Sequence, residues 1–495
     1  MRSRDRRPSE PLEPSCGFYA RGFLQFSWSG HVFRELREIK NVIAAPARDS
    51  SIGAFQATCA GNRINQADAP TVARIRWRVT HTLQLQLLNL PHAPTKSAYL
   101  LYFEDVDATR FVDSVFGSAT REPGKKDAFV YYLPKPIPRQ LELSSTVVAS
   151  LSEADAALGH LQGLGMLITD PSLLIGPYLR REALASSRIE GTQASLSDIF
   201  QSEVDAEARN DDTAEVHRYL QATGQAYELA KTLPITQRLI LHVHETLLTG
   251  VRGEEKSPGE FRRSPVWVGR AGATPDNATF EPPLPQHLGE LLADWERFVN
   301  DDGRSFPALV QAALMHYQFE TIHPFLDGNG RIGRLLINLL LMERKRLPLP
   351  LLYLSNYFET HRDEYYERLQ AVRERADIEG WLVFFLDAVR AQADDAVTRS
   401  RRLISVRESY HSEAIKERSS LPRLVDIIVR NPFVTVKSVQ DGLELTNQGA
   451  RNLIKNAETR GWLRSLGTYG RGGRERWYSP AIYEVIELPM SYTDE

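Results

Sequence analysis

Apolar residues at helical spacing dominate the chain from about residue 152 onward. The first run comprises Ala154, Ala157, Leu158, Leu161 and Leu164, which fall on one face of a helix. Comparable runs follow at 173–184, 216–248, 288–298, 306–322, 335–342 and 353–386. This pattern predicts a mostly α protein whose core is a helical bundle.

Two short segments between residues 258 and 283 interrupt the helical pattern. Val266, Trp267 and Val268 have strand composition, a turn-rich stretch runs to Asn277, and Thr279–Glu281 is a second candidate strand. Two β-prone runs separated by a turn predict a β-hairpin. The residues leave open whether this hairpin only packs on the surface or presents an edge to another chain.

The last segment, about 420–485, has a different pattern. Apolar positions predict three short helices, the third capped by Thr446, followed by strands at Trp462–Arg464 and Arg476–Tyr478. Three short helices and a two-stranded wing resemble a winged helix-turn-helix domain. Between residues 421 and 480, Lys and Arg occupy ten positions and Asp and Glu five, so this segment is basic.

Four basic residues of this segment are candidates for contact with DNA phosphates. Arg451 and Lys455 lie on the predicted third helix, and Arg471 and Arg474 lie between the two strands. The same fold also serves protein contact and dimerisation, because fold does not fix function. DNA binding and a protein-contact module, including a homodimer, therefore both stay open.

Residues 1–127 are poorly readable. No periodicity persists there, although Ala98–Phe103 has strand composition, and the glycine, proline and serine content of 1–60 is typical of disorder. Two interpretations stay open, namely a poorly ordered extension and a stretch upstream of the true start.

The stretch from His323 to Arg334 concentrates chemistry between two predicted helices. Pro324 ends the first helix, because the residue before a proline is pushed out of the α region. Gly328 and Gly330 allow backbone turns that side chains would block. Their amides, beside the N-terminus of the next helix, predict an anion site.

The side chains of this stretch fit a nucleotide. Arg331 and Arg334 are three residues apart and share a helix face, which suits a polyphosphate. Asp327 offers a hard oxygen ligand to Mg²⁺, and His323 is the group best able to accept a proton near neutral pH. The alternative is a solvated turn, which has no need of three glycines and an asparagine.

This stretch matches, position by position, the signature H-x-F-x-D/E-G-N-G-R-x-x-R, and so resembles the Fic (Fido) family. The resemblance implies that His323 is the general base, that Asp327 holds Mg²⁺ and that Phe325 anchors the loop in the core. It implies nucleotide phosphate binding by Gly328, Asn329, Gly330, Arg331 and Arg334.

A second segment, Ser186, Glu190 and Gly191, is an ordinary helix end when taken alone. In a chain that resembles the Fic family it looks like the inhibitory motif S/T-x-x-x-E-G/N placed on an N-terminal helix. Glu190 would pair bidentately with Arg334 and displace the γ-phosphate, with Ser186 fixing the helix. The sequence does not decide between a brake and a base that hydrolyses AMP from a modified target.

The resemblance implies a protein adenylyltransferase that moves AMP from ATP to a Ser, Thr or Tyr hydroxyl of a protein, restrained by Glu190. The hairpin at Val266, Trp267 and Val268 would be the flap that docks the target backbone by strand addition. The alternative is a DNA-binding transcriptional regulator with a nucleotide-sensing Fic core. A donor other than ATP is a third possibility.

Composition adds the remaining expectations. The chain has 495 residues, a net charge of −3 and 42% hydrophobic residues, which predicts several domains. The two cysteines fit no disulfide framework, and the absence of a long apolar run or signal pattern predicts a cytoplasmic protein without membrane contact. The predicted organisation is an extension at 1–127, an N-terminal Fic-associated helical region at 128–210, a catalytic core at 211–395, a helical connector at 396–419 and a winged helix at 420–485.

Overall fold

The computed structural model describes residues 57–59, 62–64, 72–77, 83–88, 110–121, 130–167, 170–269, 278–469 and 473–487. The chain divides into two compact units, residues 1–104 and 105–495. The strand expected at Ala98–Phe103, the turn at 270–277 and the candidate Arg471 lie outside the described residues.

The described residues of the first unit form two antiparallel hairpins. β1 (Ala57–Cys59) pairs with β2 (Asn62–Ile64), and β3 (Val72–Trp77) pairs with β4 (Leu83–Leu88). The alternation of Leu and Gln through β4 has the two-residue period of a strand.

The second unit begins with a further hairpin that crosses the boundary predicted at residue 127. β5 (Gly117–Arg121) pairs antiparallel with β6 (Val130–Pro134). Tyr132 of β6 is fully buried and packs against Phe111 and Phe280. Residues 110–121 therefore belong to this folded unit and not to the extension.

Helices form most of the second unit. Before residue 420 they are α1 (Ser145–Leu167), α2 (Ser172–Ile189), α3 (Leu196–Val204), α4 (Asp211–Ala230), α5 (Gln237–Leu248), α6 (Leu288–Asn300), α7 (Ala308–Ile322), α8 (Asn329–Glu343), α9 (Ser355–Thr360), α10 (Arg362–Arg375) and α11 (Ile378–Ala414). Short 3-10 turns lie at Ala206–Ala208, Glu254–Lys256, Pro285–His287 and Asp302–Ser305. The mostly α fold predicted from the hydrophobic pattern is confirmed.

Helix α7 lies at the centre of the core. Almost all of its side chains are buried, including polar ones such as Gln311 and His316, whereas the sequence analysis expects an amphipathic helix. Trp295 of α6 and Trp381 of α11 donate indole hydrogen bonds to main-chain oxygens of α7. A helix that is enclosed on all sides gives the loop that follows it a rigid support.

Helix α11 is 37 residues long and continues through most of the connector predicted at 396–419. Its second half is not merely a polar spacer, because Arg399, Ser400 and Leu403 are buried. Arg399 Nη1 donates to the main-chain oxygens of Val485 (2.7 Å) and Ile486 (3.2 Å). The helix is therefore packed against the end of the chain.

Residues 421–487, the C-terminal module, contain the three helices expected there. These are α12 (Leu421–Arg430), α13 (Val436–Leu443) and α14 (Asn447–Thr459), and a final helix α15 (Pro480–Glu487) follows. The Thr446 side chain accepts a hydrogen bond from Gly449 N, as predicted for a cap.

The sheet of the C-terminal module has one strand more than expected. β8 (Arg464–Tyr469) and β9 (Arg474–Tyr478) form the predicted antiparallel pair, and β7 (Phe433–Thr435) adds to the other edge of β9. Strand β7 escaped prediction because its three residues directly adjoin helix α13 and carry no alternating pattern.

The hairpin predicted at 266–281 is only partly formed. Val268 and Phe280 make an isolated antiparallel bridge, with Val268 N donating to Phe280 O at 2.8 Å. Pro265 on one side and Pro282 on the other lack the N–H needed to extend a ladder. Among the described residues no helix is both long enough and apolar enough to cross a bilayer.

Candidate active site

The central loop, residues 323–328, connects α7 to α8. His323 ends α7 in the left-handed conformation, with φ 49°, and Gly328 precedes α8 with φ 79°. Helix α8 already begins at Asn329, so Gly330 is helical and does not make the turn expected of it. Of the two glycines singled out by sequence, only Gly328 is required by backbone conformation.

Side chains on α8 and α5 hold the central loop in shape. Asn329 Oδ1 accepts from Phe325 N at 2.8 Å, and its Nδ2 donates to Phe325 O at 2.9 Å. Phe325 is fully buried, which confirms it as the anchor, and its ring stacks on His244 at 3.7 Å. The Asn329 side chain thus binds the loop itself, so the phosphate contact predicted for Asn329 would come from its main-chain amide.

His323 is held as a neutral imidazole. Its Nδ1 lies 3.3 Å from Glu320 O; since a carbonyl only accepts, Nδ1 carries the proton and Nε2 is left basic. Burial, reinforced by the charge of Arg262, lowers the pKa of His323 to about 4. At neutral pH Nε2 is therefore free of its proton and able to accept one.

Asp327 is the candidate metal ligand. Its Oδ1 accepts from Gly328 N at 2.5 Å and from Arg331 Nη2 at 3.0 Å, and its side chain is 37% exposed. A Cβ on Gly253 would lie 3.1 Å from its Oδ2, so a glycine there keeps space beside that oxygen. The described residues contain no group of three or more metal-binding side chains.

The two arginines of α8 have different partners. Arg331 is buried, and its Nε has no hydrogen-bond partner within the described residues. Arg334, whose side chain is 1% exposed, donates from Nε to Ser186 Oγ and from Nη2 to Ser186 O, both at 2.9 Å. Its Nη2 also donates to Glu190 Oε1 at 2.8 Å.

The sequence analysis correctly expects Glu190 to pair with Arg334, but the pair is not bidentate. One guanidinium nitrogen, Nη2, contacts one carboxylate oxygen of Glu190. The Ser186 hydroxyl accepts from Arg334 Nε, so Ser186 binds the arginine directly and does not only fix the helix. Burial is the largest single influence and favours a raised pKa for Glu190, but the charge and hydrogen bond of Arg334 and the charge of Arg331 together outweigh it, and the pKa is lowered. Glu190 is consequently ionised at neutral pH.

Gly330 leaves room for the close approach of Glu190. A Cβ at residue 330 would lie 2.3 Å from Glu190 Oε1 and 2.7 Å from Arg334 Nη1, far inside van der Waals contact. Helix α2 ends at Ile189, and Gly191 follows with φ 104°, as predicted for a helix stop. Thr192 then donates to Glu215 at 2.9 Å, which ties the segment to α4.

His244 and Arg262 support the central loop and were missed as site residues. His244 accepts from Gly259 N at Nδ1, so its Nε2 donates to Asp327 O, both at 3.0 Å. Arg262 Nε donates to His323 O at 2.8 Å, and the rest of its guanidinium donates to three further main-chain oxygens. No local pattern reveals the bonds to the central loop, because His323 lies 61 positions from Arg262 and Asp327 lies 83 positions from His244.

The other predicted site residues differ in their exposure and partners. Trp267 of the flap is 38% exposed, and the neighbouring Val266 and Val268 are half-buried. Arg451 and Lys455 are exposed on α14. Arg474, by contrast, contacts Asp205 and Glu207.

Comparisons with known proteins match two regions of the chain. Residues 148–228 match the family model described as Fic/DOC family N-terminal, and residues 234–341 match that of the Fic/DOC family. The chain is 36% identical over 161 residues to Protein adenylyltransferase Fic of Aedes aegypti, covering 32% of this chain and 29% of that protein. The protein of the same name from Drosophila grimshawi is 35% identical over 167 residues, covering 34% and 31%.

Among solved structures, a Fic family protein from Desulfovibrio desulfuricans G20 is similar, with a TM-score of 0.46 and 22% identity. The match covers 68% of this chain and 97% of that one. The chain spans about a third of the length of the curated relatives that it matches. The chain thus contains two Fic/DOC family domains, an N-terminal one at residues 148–228 and a second at residues 234–341 that includes the central loop.

Proposed function

We propose that this chain transfers AMP from ATP to a Ser, Thr or Tyr hydroxyl of a protein. The observation that carries the proposal is a neutral His323 at the start of a loop that leads into two buried arginines. The hydroxyl oxygen attacks the α-phosphorus, its proton passes to His323 Nε2, and the bond between the α- and β-phosphates breaks to release pyrophosphate. Names of the relatives, Protein adenylyltransferase Fic, support the same reaction.

Arg331 and Arg334 are the proposed phosphate ligands. Both are buried on the first turns of α8, where main-chain amides and the helix dipole favour an anion. The unpartnered Nε of Arg331 supports a bound acceptor, because a buried donor without one is costly. Charge that develops on the phosphates would be stabilised there.

Mg²⁺ fits this site through Asp327 and the phosphates together. One partly exposed carboxylate with space beside Oδ2 suits a cation that binds one or two carboxylates plus phosphate oxygens and water. When bound, Mg²⁺ would offset phosphate charge. His244 and Arg331 fix Asp327 for that purpose.

We propose that Glu190 restrains the reaction. Its carboxylate takes a donor of Arg334 that the γ-phosphate would otherwise use, so ATP would bind in an unproductive pose. Pairing with Arg334 lowers the pKa of Glu190 and so makes it a weaker base while the pair is formed, which favours the brake over a hydrolytic base for removing AMP. Replacing Glu190 by glycine should therefore raise AMP transfer. We call Glu190→Gly the released variant.

The flap is the proposed contact for the protein target. Val268 pairs with Phe280 in an antiparallel bridge, and Trp267 remains exposed, an arrangement suited to main-chain pairing with an added strand. Intact-mass analysis of the released variant after incubation with ATP and Mg²⁺ tests the function. An adduct of one AMP supports the proposal, whereas a phosphate adduct or no adduct would refute it; GTP, CTP and UTP in parallel identify the donor.

DNA contact through α14 is a second candidate. Arg451 and Lys455 are exposed on one helix face at the spacing of one turn. Arg451→Gln should weaken binding of a labelled duplex, with Lys437→Gln on α13 as a control. Duplex binding that is absent at moderate salt, or equal in both variants, would exclude this candidate.

A further inference from the structure

The C-terminal module packs against helix α3, which follows directly after Glu190. Asn431 Nδ2 donates to Phe200 O at 3.0 Å and to Glu203 Oε2 at 3.1 Å. The rings of Phe433 and Phe200 stack at 6.3 Å, and both are buried. This contact combines an apolar centre with hydrogen bonds to a carboxylate, so it holds α3 in a defined position.

The strands of the module extend the same contact beyond α3. Arg474 contacts Asp205, whose side chain is 2% exposed, and Glu207. Arg476 Nη1 donates to Gln201 Oε1 at 2.5 Å. Three polar side chains of the module, together with the ring of Phe433, therefore contact the segment 200–207.

This segment is in turn bound to helix α2. Glu203 accepts from Arg180 Nε at 2.6 Å and from Arg180 Nη2 at 2.9 Å, so one carboxylate joins α2 to the module. Nearer the active site, Arg188 Nε and Nη2 donate to Ala194 O at 3.0 and 2.8 Å. Helix α2 is thus fastened to residues 194–203 at two positions on its length.

Helix α2 also carries the residues that bind Arg334. Ser186 lies inside the helix and Glu190 caps its end, about 15 Å along the axis from Arg180. The one proline within α2, Pro177, precedes this stretch, so the helix between Arg180 and Glu190 is uninterrupted. A continuous stretch of helix therefore links the contact at Arg180 to Glu190.

We propose that the C-terminal module is a regulatory domain whose docking on α3 keeps Glu190 on Arg334. The inference rests on the proposed role of Glu190 as a brake and adds how that brake is held. Undocking of the module frees Glu203, loosens Arg180 and lets the end of α2 leave α8. A ligand that binds the docked face of the module would release the enzyme in this way.

The replacement Asn431→Asp tests the docking with little change in shape. Asn431 Oδ1 accepts from Phe433 N at 2.9 Å, and an aspartate keeps that acceptor. Its second oxygen replaces Nδ2 and repels Glu203 and Phe200 O. Asn452→Asp is the matched control, because it makes the same charge change in the same module and keeps the bond from Gln448.

The first readout is hydrogen exchange at the end of α2, which does not depend on activity. The amides of Glu190 and Thr192 both donate to Ser187 O. Asn431→Asp should speed their exchange about fivefold or more, the lower end of usual coupling between sites. Unchanged exchange would overturn the proposal.

The second readout is AMP transfer in two backgrounds. Asn431→Asp should raise transfer about fivefold when Glu190 is present and leave the released variant unchanged. An equal rise in both backgrounds would overturn the proposal, because the module would then act elsewhere. If the released variant transfers no AMP, the proposed function fails, while hydrogen exchange still decides whether the module holds α2.

A second variant covers the case in which Asn431→Asp unfolds the C-terminal module. If exchange within β9 shows that Asn431→Asp unfolds the module, Glu203→Gln replaces it, because this change leaves the module intact and weakens its bonds to both Asn431 and Arg180. The expected changes in exchange and transfer are the same. Their absence in Glu203→Gln would overturn the proposal.

Discussion

Replacing Gly330 by alanine should lower the free energy of unfolding when residue 190 is glutamate and raise it when residue 190 is glycine. With Glu190 present, the new Cβ would meet its Oε1 at 2.3 Å, so the carboxylate has to leave Arg334. With glycine at residue 190, the nearest remaining atom is Arg334 Nη1 at 2.7 Å, the end of a side chain that has lost its carboxylate partner in this variant and keeps only its bonds to Ser186. The substitution therefore reports directly on whether Glu190 occupies this position.

Two opposing free-energy contributions decide whether Gly330→Ala stabilises or destabilises the fold. Alanine is favoured over glycine in a helix by up to about 1 kcal/mol, and this gain applies in both backgrounds. Displacing Glu190 loses a charge-assisted hydrogen bond of about 1.5–3 kcal/mol, nearer the lower figure because its side chain is 32% exposed. The net change is a loss of roughly 0.5–1 kcal/mol with Glu190 present, and a gain of about 0.5–1 kcal/mol without it.

Thermal unfolding of the four chains measures this difference. For a unit of this size, 1 kcal/mol corresponds to a shift in Tm of about 2 °C or less, so Gly330→Ala should lower Tm slightly when Glu190 is present and raise it in the released variant. Gly224→Ala is the control, because a Cβ there meets nothing within 4 Å and should raise Tm equally in both. Shifts of the same sign and size for Gly330→Ala in both backgrounds would refute the placement of Glu190.

Three further predictions concern support and charge in the central loop. His244→Gln in the released variant should lower kcat about tenfold to a hundredfold, because the loop around Asp327 loses its fixed position, whereas His242→Gln on the exposed side of α5 should not; equal kinetics for the two would contradict the role. Arg262→Lys should lower kcat by a similar factor, since an ammonium cannot span the carbonyls that the guanidinium joins, and an unchanged kcat would count against it. Because burial holds the pKa of His323 near 4, the base stays neutral above that value, and the acid limb of kcat/KM should fall well below pH 6.5; a limb at 6.5 would show that the imidazole is not held neutral.

Local patterns in the sequence predict the helices and the chemistry of the central loop. Helical periodicity gives α1, α2 and α4 through α11 approximately, whereas α3 was not predicted. Thr446 marks the start of α14, and Pro324 and Gly191 mark helix ends. The stretch from His323 to Arg334 identifies the active-site candidates because its residues are contiguous. In these cases the physical cause lies within a few residues of the effect.

Contacts between distant residues account for what the sequence does not predict. Gly330 is needed because Glu190 approaches from 140 positions away, not because the backbone turns. Arg474 is a candidate for DNA when taken alone, but it faces Asp205 in the structure, 269 positions earlier. The connector looks polar in the sequence, yet helix α11 extends through it. Its buried Arg399 donates a hydrogen bond to the main-chain oxygen of Val485, 86 positions later.

The most direct test of the account is the transfer of label from α-labelled ATP with Mg²⁺, with the wild-type chain, Glu190→Gly and His323→Ala compared side by side. The account predicts weak labelling of protein by the wild type, strong labelling by Glu190→Gly and none by His323→Ala. Labelling by His323→Ala at the wild-type level, or no labelling by any of the three while ATP binds, would contradict an AMP transferase that uses His323 as its base and Glu190 as its restraint.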